Sequence, residues 1–309
     1  MSTKKSYPAV DIFRLAAAFL VVAVHISPLA SVSGTVDFIF TRIIARIAVP
    51  FFLMATGFFL LPGFAKGTDF IFGDRLKKFF QKTLLLYGAA TAIYLPVNLY
   101  AGHLTGASTA ADVLKAIVFD GTFYHLWYLP ALLIGVPIAA LLLAKCRKKT
   151  ALMAAVLLYA LGLLGDSYYG LAQMIPPVRF LYDNVLFHLF GYTRNGLFYA
   201  PLFLMMGASL GAAEKRPSRA ALGAGLAASF SLMTLEALLL KAARWQRHDS
   251  MYVMLPPVMF FLFSLLVSVR GTARPHLRDF SMAVYIVHPL ALVMVRGAAR
   301  AAGLTPVIV

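Results

Sequence analysis

The chain has 309 residues, 61% hydrophobic and 13% charged, with a mean hydropathy of +0.81, whereas a soluble domain carries about a quarter charged residues. Composition therefore excludes an ordinary soluble domain and leaves a membrane protein. Lys and Arg number 28 against 12 Asp and Glu, an excess that basic cytoplasmic loops explain without a nucleic-acid partner. The lone cysteine, Cys146, excludes an intramolecular disulfide and a zinc cluster built on thiolates, so no metal is expected.

In chain order, apolar runs of about 17 to 25 residues, enough to cross a bilayer as a helix, fall near 10–31, 40–62, 79–100, 127–144, 150–165, 196–212, 220–240, 251–269 and 279–295. None shows the period-2 alternation of an outer-membrane barrel. The predicted fold class is all-α, a polytopic integral membrane helical bundle of about 9–10 transmembrane helices in a single domain over 1–309. The first run ends near the small residues Ala30 and Ser33, as a signal peptide would. Its length and its internal Arg14 and His25 argue for a retained helix. The segment 166–195, with Pro176-Pro177 and several aromatics, is expected to be a structured cap or a re-entrant piece. The tail after Arg300, AAGLTPVIV, reads like the opening of a tenth helix, so the chain is expected either to be truncated there or to carry a peripheral tail.

A cytoplasmic N-terminus places 17 Lys and Arg on the inner side, from Lys4 and Lys5 through Lys66, Arg75, Lys77, Lys78, Lys82, Lys145, Arg147, Lys148, Lys149, Lys215, Arg216, Arg219, Arg270, Arg274 and Arg278, against 10 on the outer side. The positive-inside rule favours that orientation.

Ionisable groups inside a spanning helix cost several kcal/mol unless they face a cavity or a partner. Arg14 and His25 are 11 residues apart, which returns to within roughly 20° of one helix face at about 16 Å axial separation. They would line the mouth and the middle of one path, with Asp11 near enough to pair with Arg14. Arg42 and Arg46 share a face of the second run at the i, i+4 spacing. Counting about 1.5 Å per residue, His25, Arg46 and Glu236 come to roughly 22, 21 and 24 Å above the inner boundary, and His288 lies lower. A shared cavity in the outer half of the membrane is the functional reading; the alternative has Arg42 snorkelling to headgroups and His25 hydrogen-bonded in the core.

The loop sequence GDRLKKFFQK brings Arg75 and Lys78 together at i, i+3, either as a phosphate clamp or as positive-inside charge. Within YHLWYLP, Tyr124 and His125 are candidate substrate-binding residues, while Trp127 and Tyr128 read as an interfacial aromatic belt. Arg194 and Asn195 would place a guanidinium and an amide over the cavity mouth or anchor the outer surface. Cys146, between Lys145 and Arg147, is a permissive palmitoylation position or a passive thiol.

Several of these segments resemble the acyltransferase-3 family of integral membrane acyltransferases. DIFRLAAAFLVVAVHISP carries Arg14 and His25 at that family's first-helix spacing, and RIAVPFFLMATGFFL is similar to its arginine-led segment, with Thr56 where serine is usual. DRLKKFF resembles its basic motif, with Lys78 in place of an arginine, which keeps charge but loses planar bidentate recognition. HLWYLPALL and SMAVYIVHP, the latter containing Tyr285 and His288, extend the resemblance over nearly the whole chain. Within the family, HISPL, TRIIARIAVPFF, TRNGLFYAPLFLMMG and DSMYVMLP are most similar to the membrane domain of VanT-type serine racemases, whose cytoplasmic racemase domain has no counterpart in these residues.

The resemblance implies a multi-pass protein of a bacterial-type plasma (inner) membrane that moves an acyl group from a cytoplasmic acyl-CoA donor to a hydroxyl acceptor at the outer side, a cell-envelope glycan or a small molecule. His25 would be the essential histidine, with Arg14, Arg75 and Lys78 serving donor passage and phosphate binding. The residues support a matching chemistry in which His25 is the general base, Arg46 or Arg42 stabilises the oxyanion, and Glu236 orients the histidine or balances the arginines. The rival reading is a membrane carrier for serine or a similar small amino acid, as in VanT-type proteins, with Arg46 on the carboxylate and Glu236 on the ammonium.

Overall fold

The computed structural model describes residues 6–66, 73–102 and 109–304. Lys4, Lys5 and the last residues of the tail lie outside the described residues. The chain is helical throughout, and no β-strand occurs among the described residues. The first third contains α1 (Pro8–Ile26), α2 (Gly34–Arg42), α3 (Ala48–Leu60), the short α4 (Pro62–Lys66), the long α5 (Asp74–Tyr100) and α6 (Ala110–Lys115). The middle contains α7 (Tyr128–Lys145), α8 (Lys148–Leu164), the short helices α9 (Tyr169–Met174), α10 (Pro176–Leu181) and α11 (Phe187–Leu189), and then α12 (Ala200–Ala212). The last third is α13 (Arg219–Ala243), α14 (Leu255–Ser268) and α15 (Pro275–Ala301).

Every apolar run of the sequence contains a helix, and among the described residues six helical segments are long and apolar enough to span a membrane: α1, α2 with α3, α5, α7, α13 and α15. The protein is a multi-pass membrane bundle. Two runs form helices shorter than expected, α12 at 13 residues and α14 at 14. The segment 166–195, expected to be a structured cap or a re-entrant piece, is structured, with α9, α10, a π-turn over Tyr182–Leu186, and α11. At the other end of the chain α15 ends at Ala301, the first residue of the tail that had read as the opening of a tenth helix, and residues 305–309 of that tail lie outside the described residues.

Two prolines shape the site. Pro50 has no N–H and its ring crowds the carbonyl four residues back, that of Arg46. The second run accordingly does not continue as one α-helix: α2 stops at Arg42 and a 3-10 turn over Ile44–Ile47 carries Arg46 into α3. In α15, Pro289 likewise removes the donor that would have met the Tyr285 carbonyl. The His288 ring takes its place, its Nδ1 lying 2.9 Å from that carbonyl and 3.0 Å from the carbonyl of Val284. Next to this kink the Tyr94 hydroxyl enters the helix ladder, donating to Ile286 O at 2.5 Å and accepting from Leu290 N at 3.2 Å.

The centre of the bundle is the crossing of α3 and α12. A Cβ at Gly57 would land on the Leu204 carbonyl, and one at Gly207 on the Met54 carbonyl, so the two bare glycines let the backbones touch reciprocally. The periphery is apolar: Leu84, Leu85 and Leu99 on α5 and Leu232, Leu235 and Leu239 on α13 are all exposed. That pattern suits lipid rather than water. α13 buries a single stripe, Leu222, Ser229, Met233, Ala237 and Leu240, and packs on α14.

At one end of the bundle basic residues converge. Arg75 donates to the Phe59 carbonyl, Arg216 to Val267 O and Leu210 O, and Arg219 to Ser268 O. Arg274 N and Arg278 both reach the buried Asp11 carboxylate of α1.

Candidate functional site

Two cavities lie end to end beside α1. The first, of about 50 Å³, is lined by His25 of α1, Arg46 of the 3-10 turn, His125 and Trp127 ahead of α7, and Arg194 and Tyr199 ahead of α12. The second, of about 140 Å³, is lined by Arg14, by Phe79 and Thr83 of α5, and by Arg278 and Ser281 of α15. Val21, Val49, Tyr128 and Tyr285 line both and form the wall between them. The 11-residue interval between Arg14 and His25 thus separates two compartments served by one helix.

Two histidines, His25 and His125, line the first cavity, and His288 packs against both behind it. His25 stacks on His288 at 5.5 Å between ring centroids, and His288 meets His125 edge-on at 5.3 Å. Tyr124 covers His25 at 4.7 Å, and the Tyr285 hydroxyl donates to the His125 carbonyl at 2.6 Å. Because Nδ1 of His288 faces two carbonyls, it must carry the proton, which leaves Nε2 as a lone pair. That Nε2 is buried without a hydrogen-bond partner, as are both ring nitrogens of His125. Among the described residues no three His, Cys, Asp or Glu side chains are arranged to hold a metal ion.

The same cavity carries unneutralised positive charge. Arg46 is only 9% exposed, its Nε has no hydrogen-bond partner, and among the described residues no carboxylate pairs with it. Arg194 donates to Ser250 Oγ at 3.3 Å and lies over the rings of Trp127 and Tyr192 at 5.1 and 4.5 Å, with its Nε also unpartnered. Arg42, at the rim, has an ion pair with Asp249 at 3.9 Å. In the second cavity Arg14 Nε sits 4.0 Å from the Asp11 carboxylate, an ion pair without a hydrogen bond.

Other expected residues stand apart. Glu236 does not line the cavity of His25 and Arg46. Its carboxylate accepts from Tyr168 Oη at 2.8 Å, Val253 N at 2.6 Å and Met254 N at 2.9 Å, which anchors the N-terminus of α14. Depth along α13 put Glu236 level with His25 and Arg46, but α13 packs on α14 and directs the group there. The Asn195 amide is spent on backbone, donating to Tyr192 O and accepting from Leu197 N and Phe198 N in the turn that leads into α12. Arg75 and Lys78 are exposed on the first turns of α5, just before Phe79 of the second cavity.

Trp127 and Tyr128, read from sequence as belt residues, instead wall the cavities. Two positions were missed altogether. Asp166, fully buried, accepts from Ser250 N at 2.7 Å, Met251 N at 3.0 Å and Ser167 Oγ at 3.0 Å, and so sets the loop whose Ser250 holds Arg194. Burial pushes the Asp166 carboxyl up, while the Ser250 N–H and the Arg194 charge pull it down. His248 packs on Tyr192 at 4.5 Å, and burial, with help from the charges of Arg247 and Arg194, pulls its pKa down to about 4. The DS pair at 166–167 following an apolar run was the only available signal for Asp166.

A family model described as an acyltransferase domain, acyltransferase 3, matches residues 7–309. An amino-acid racemase of Enterococcus faecalis is 43% identical over 282 residues, 91% of this chain and 39% of the relative. A second amino-acid racemase of that organism is 35% identical over 94% of this chain and 42% of its own length. A serine/alanine racemase of Enterococcus gallinarum is 35% identical over 91% and 40%. The chain thus spans about two-fifths of the length of these relatives. No solved structure matches. With the family model covering all but its first residues, the chain belongs to the acyltransferase-3 family of membrane proteins.

Proposed function

We propose that the protein is a membrane acyltransferase that carries an acyl group from a cytoplasmic acyl-CoA to a hydroxyl acceptor on the far side of a plasma membrane. The observation that carries this reading is the pair of cavities along α1, one basic and open to α5, the other holding imidazoles and guanidiniums, with only Val21, Val49, Tyr128 and Tyr285 between them. The orientation is the one the positive-inside rule favours, with Arg75, Lys78, Arg216 and Arg274 at the cytoplasmic end.

In this reading Arg75 and Lys78 meet the donor's phosphates, and Arg14 and Arg278 receive the arm that bears the thioester. At the wall, the imidazole of His25 takes the proton of the acceptor hydroxyl while its oxygen attacks the thioester carbonyl. The field of Arg46 and Arg194, acting at a distance rather than through direct hydrogen bonds, favours the oxyanion, and the dry surroundings strengthen that effect. Collapse of the tetrahedral adduct breaks the carbon–sulfur bond, the coenzyme thiolate takes the proton from His25, and the acyl ester departs. His125 lines the acceptor side, and Tyr124 packs against the His25 ring. No metal is required at any step.

The test is acyl transfer by the purified protein from acetyl-CoA to hydroxyl acceptors, with His25→Ala abolishing turnover while the folded yield is retained. A serine carrier is the second reading, favoured by the small cavity with its two unpaired guanidiniums and by the name of the Enterococcus gallinarum relative. It has lost the ammonium partner expected of it, because Glu236 lies elsewhere. Donor-independent uptake of labelled L-serine into vesicles would favour the carrier.

A further inference from the structure

We infer that the cavity at the His25 end is a carboxylate site: Arg46 and Arg194 together clamp a carboxylate of the acceptor and so hold its hydroxyl against the histidines. The inference rests on the reading of that cavity as the acceptor's chamber. Its physical basis is an imbalance of charge. A buried guanidinium is normally paired, because removing a lone charge from water costs several kcal/mol. Arg14 follows this rule through Asp11. Arg46 and Arg194 do not, although each has a buried Nε with no partner and both line the same cavity.

The groups that touch Arg194 hold the charge in place without forming an ion pair. Arg194 is held by the faces of Trp127 and Tyr192 and by the Ser250 hydroxyl, all electrically neutral. Ser250 is itself fixed by Asp166, one oxygen of which accepts from Ser250 N and Met251 N while the other is buried without a hydrogen-bond partner; the carboxylate's charge acts on both arginines from beyond ion-pair distance and leaves their donors free. A guanidinium held by its flat face presents its edge, and that edge donates two parallel hydrogen bonds to a planar carboxylate.

Size narrows the ligand further. A cavity of about 50 Å³ admits a carboxylate and a few adjoining atoms, since on the same measure one water needs roughly 10–15 Å³. Phosphate presents the same kind of acceptor oxygens but is tetrahedral and, at neutral pH, carries more charge. The acceptor class is therefore a short compound with a carboxylate and a nearby hydroxyl, or a larger molecule that ends in one.

The experiment is equilibrium binding to the full chain in nanodiscs, without any acyl donor, followed through tryptophan fluorescence. Trp127 stands against Arg194, and Trp127→Phe serves as the control that the signal arises there. L-lactate, L-lactamide and inorganic phosphate are the probes. Saturable binding of lactate, at least tenfold weaker for lactamide and for phosphate, is expected. Arg46→Gln and Arg194→Gln, each eluting as a monodisperse folded protein, should each weaken lactate at least tenfold. Equal binding of lactamide overturns the inference, as does tighter binding of phosphate or lactate binding that survives both substitutions. Where one variant does not fold, the other and the lactate-to-lactamide ratio of the unmodified protein decide. Selective lactate binding in a preparation without acyl transfer would support the site and refute the acyltransferase reading. Efficient transfer to acceptors lacking a carboxylate, by a protein that does not bind lactate, would do the reverse.

Discussion

Replacing Arg46 with glutamine should move stability and turnover in opposite directions. The side chain is 9% exposed, forms no ion pair among the described residues, and leaves its Nε unpartnered. Its removal therefore breaks no salt bridge and relieves the desolvation of a lone cation, a term of several kcal/mol for a fully dry group. Because the guanidinium edge faces a cavity, a gain of about 1–2 kcal/mol is expected, equivalent to an upward shift of about 2–4 °C in apparent melting temperature. Turnover should fall instead. A hydrogen bond to a charged group contributes about 1.5–3 kcal/mol, which corresponds to a loss of roughly 10- to 150-fold in kcat/KM. The two assays are thermal unfolding of the detergent-solubilised protein and acyl transfer from acetyl-CoA. A lower melting temperature or loss of folded yield would refute the reasoning, since it would make Arg46 a structural residue whose charge the fold needs.

Glu236→Gln should lower the melting temperature through weakened anchoring of α14, at a cost of about 1–2 kcal/mol, and leave KM unchanged; a rise in acceptor KM would return Glu236 to the binding machinery. His248 has a folded pKa of about 4, below its ordinary value of 6.5, so the unfolded chain binds the proton more readily. Its contribution to stability is therefore complete above about pH 6.5 and is lost as the pH falls toward 4; His248→Gln should flatten that part of a melting-temperature profile, and an unchanged acid limb would contradict the assignment. In a Cys146→Ser background, a cysteine at Lys148 should resist an impermeant thiol reagent applied to intact cells, and ready labelling would reverse the orientation.

The bundle was legible in the sequence because apolar runs of spanning length leave little choice of secondary structure in a bilayer. The partnership of Arg14 and His25 was also legible, since both lie on one helix and their spacing fixes both face and separation. Position across helices was not. Rise per residue gave Glu236 a depth, but depth is one coordinate of three, and α13 packs only one stripe against α14. Pro50 carried the signal for the break after Arg42, yet the i, i+4 reading of Arg42 and Arg46 assumed an unbroken helix. Trp127 looked like a belt residue because nothing local announces Arg194, which meets it only once α7 and α12 pack. His288 was recognised as ionisable, whereas its fixed tautomer depends on the carbonyl freed by Pro289, a signal present in the adjacent His-Pro pair.

Sidedness of transfer tests the central claim most directly. Proteoliposomes with the Arg75 end facing outward would receive radiolabelled acetyl-CoA in the medium and enclose a hydroxyl acceptor. The account predicts labelled acyl ester in the lumen, absent with His25→Ala, with coenzyme A released in equal amount outside. Acylation only of acceptors on the donor's side, or luminal product that persists in His25→Ala, would contradict it.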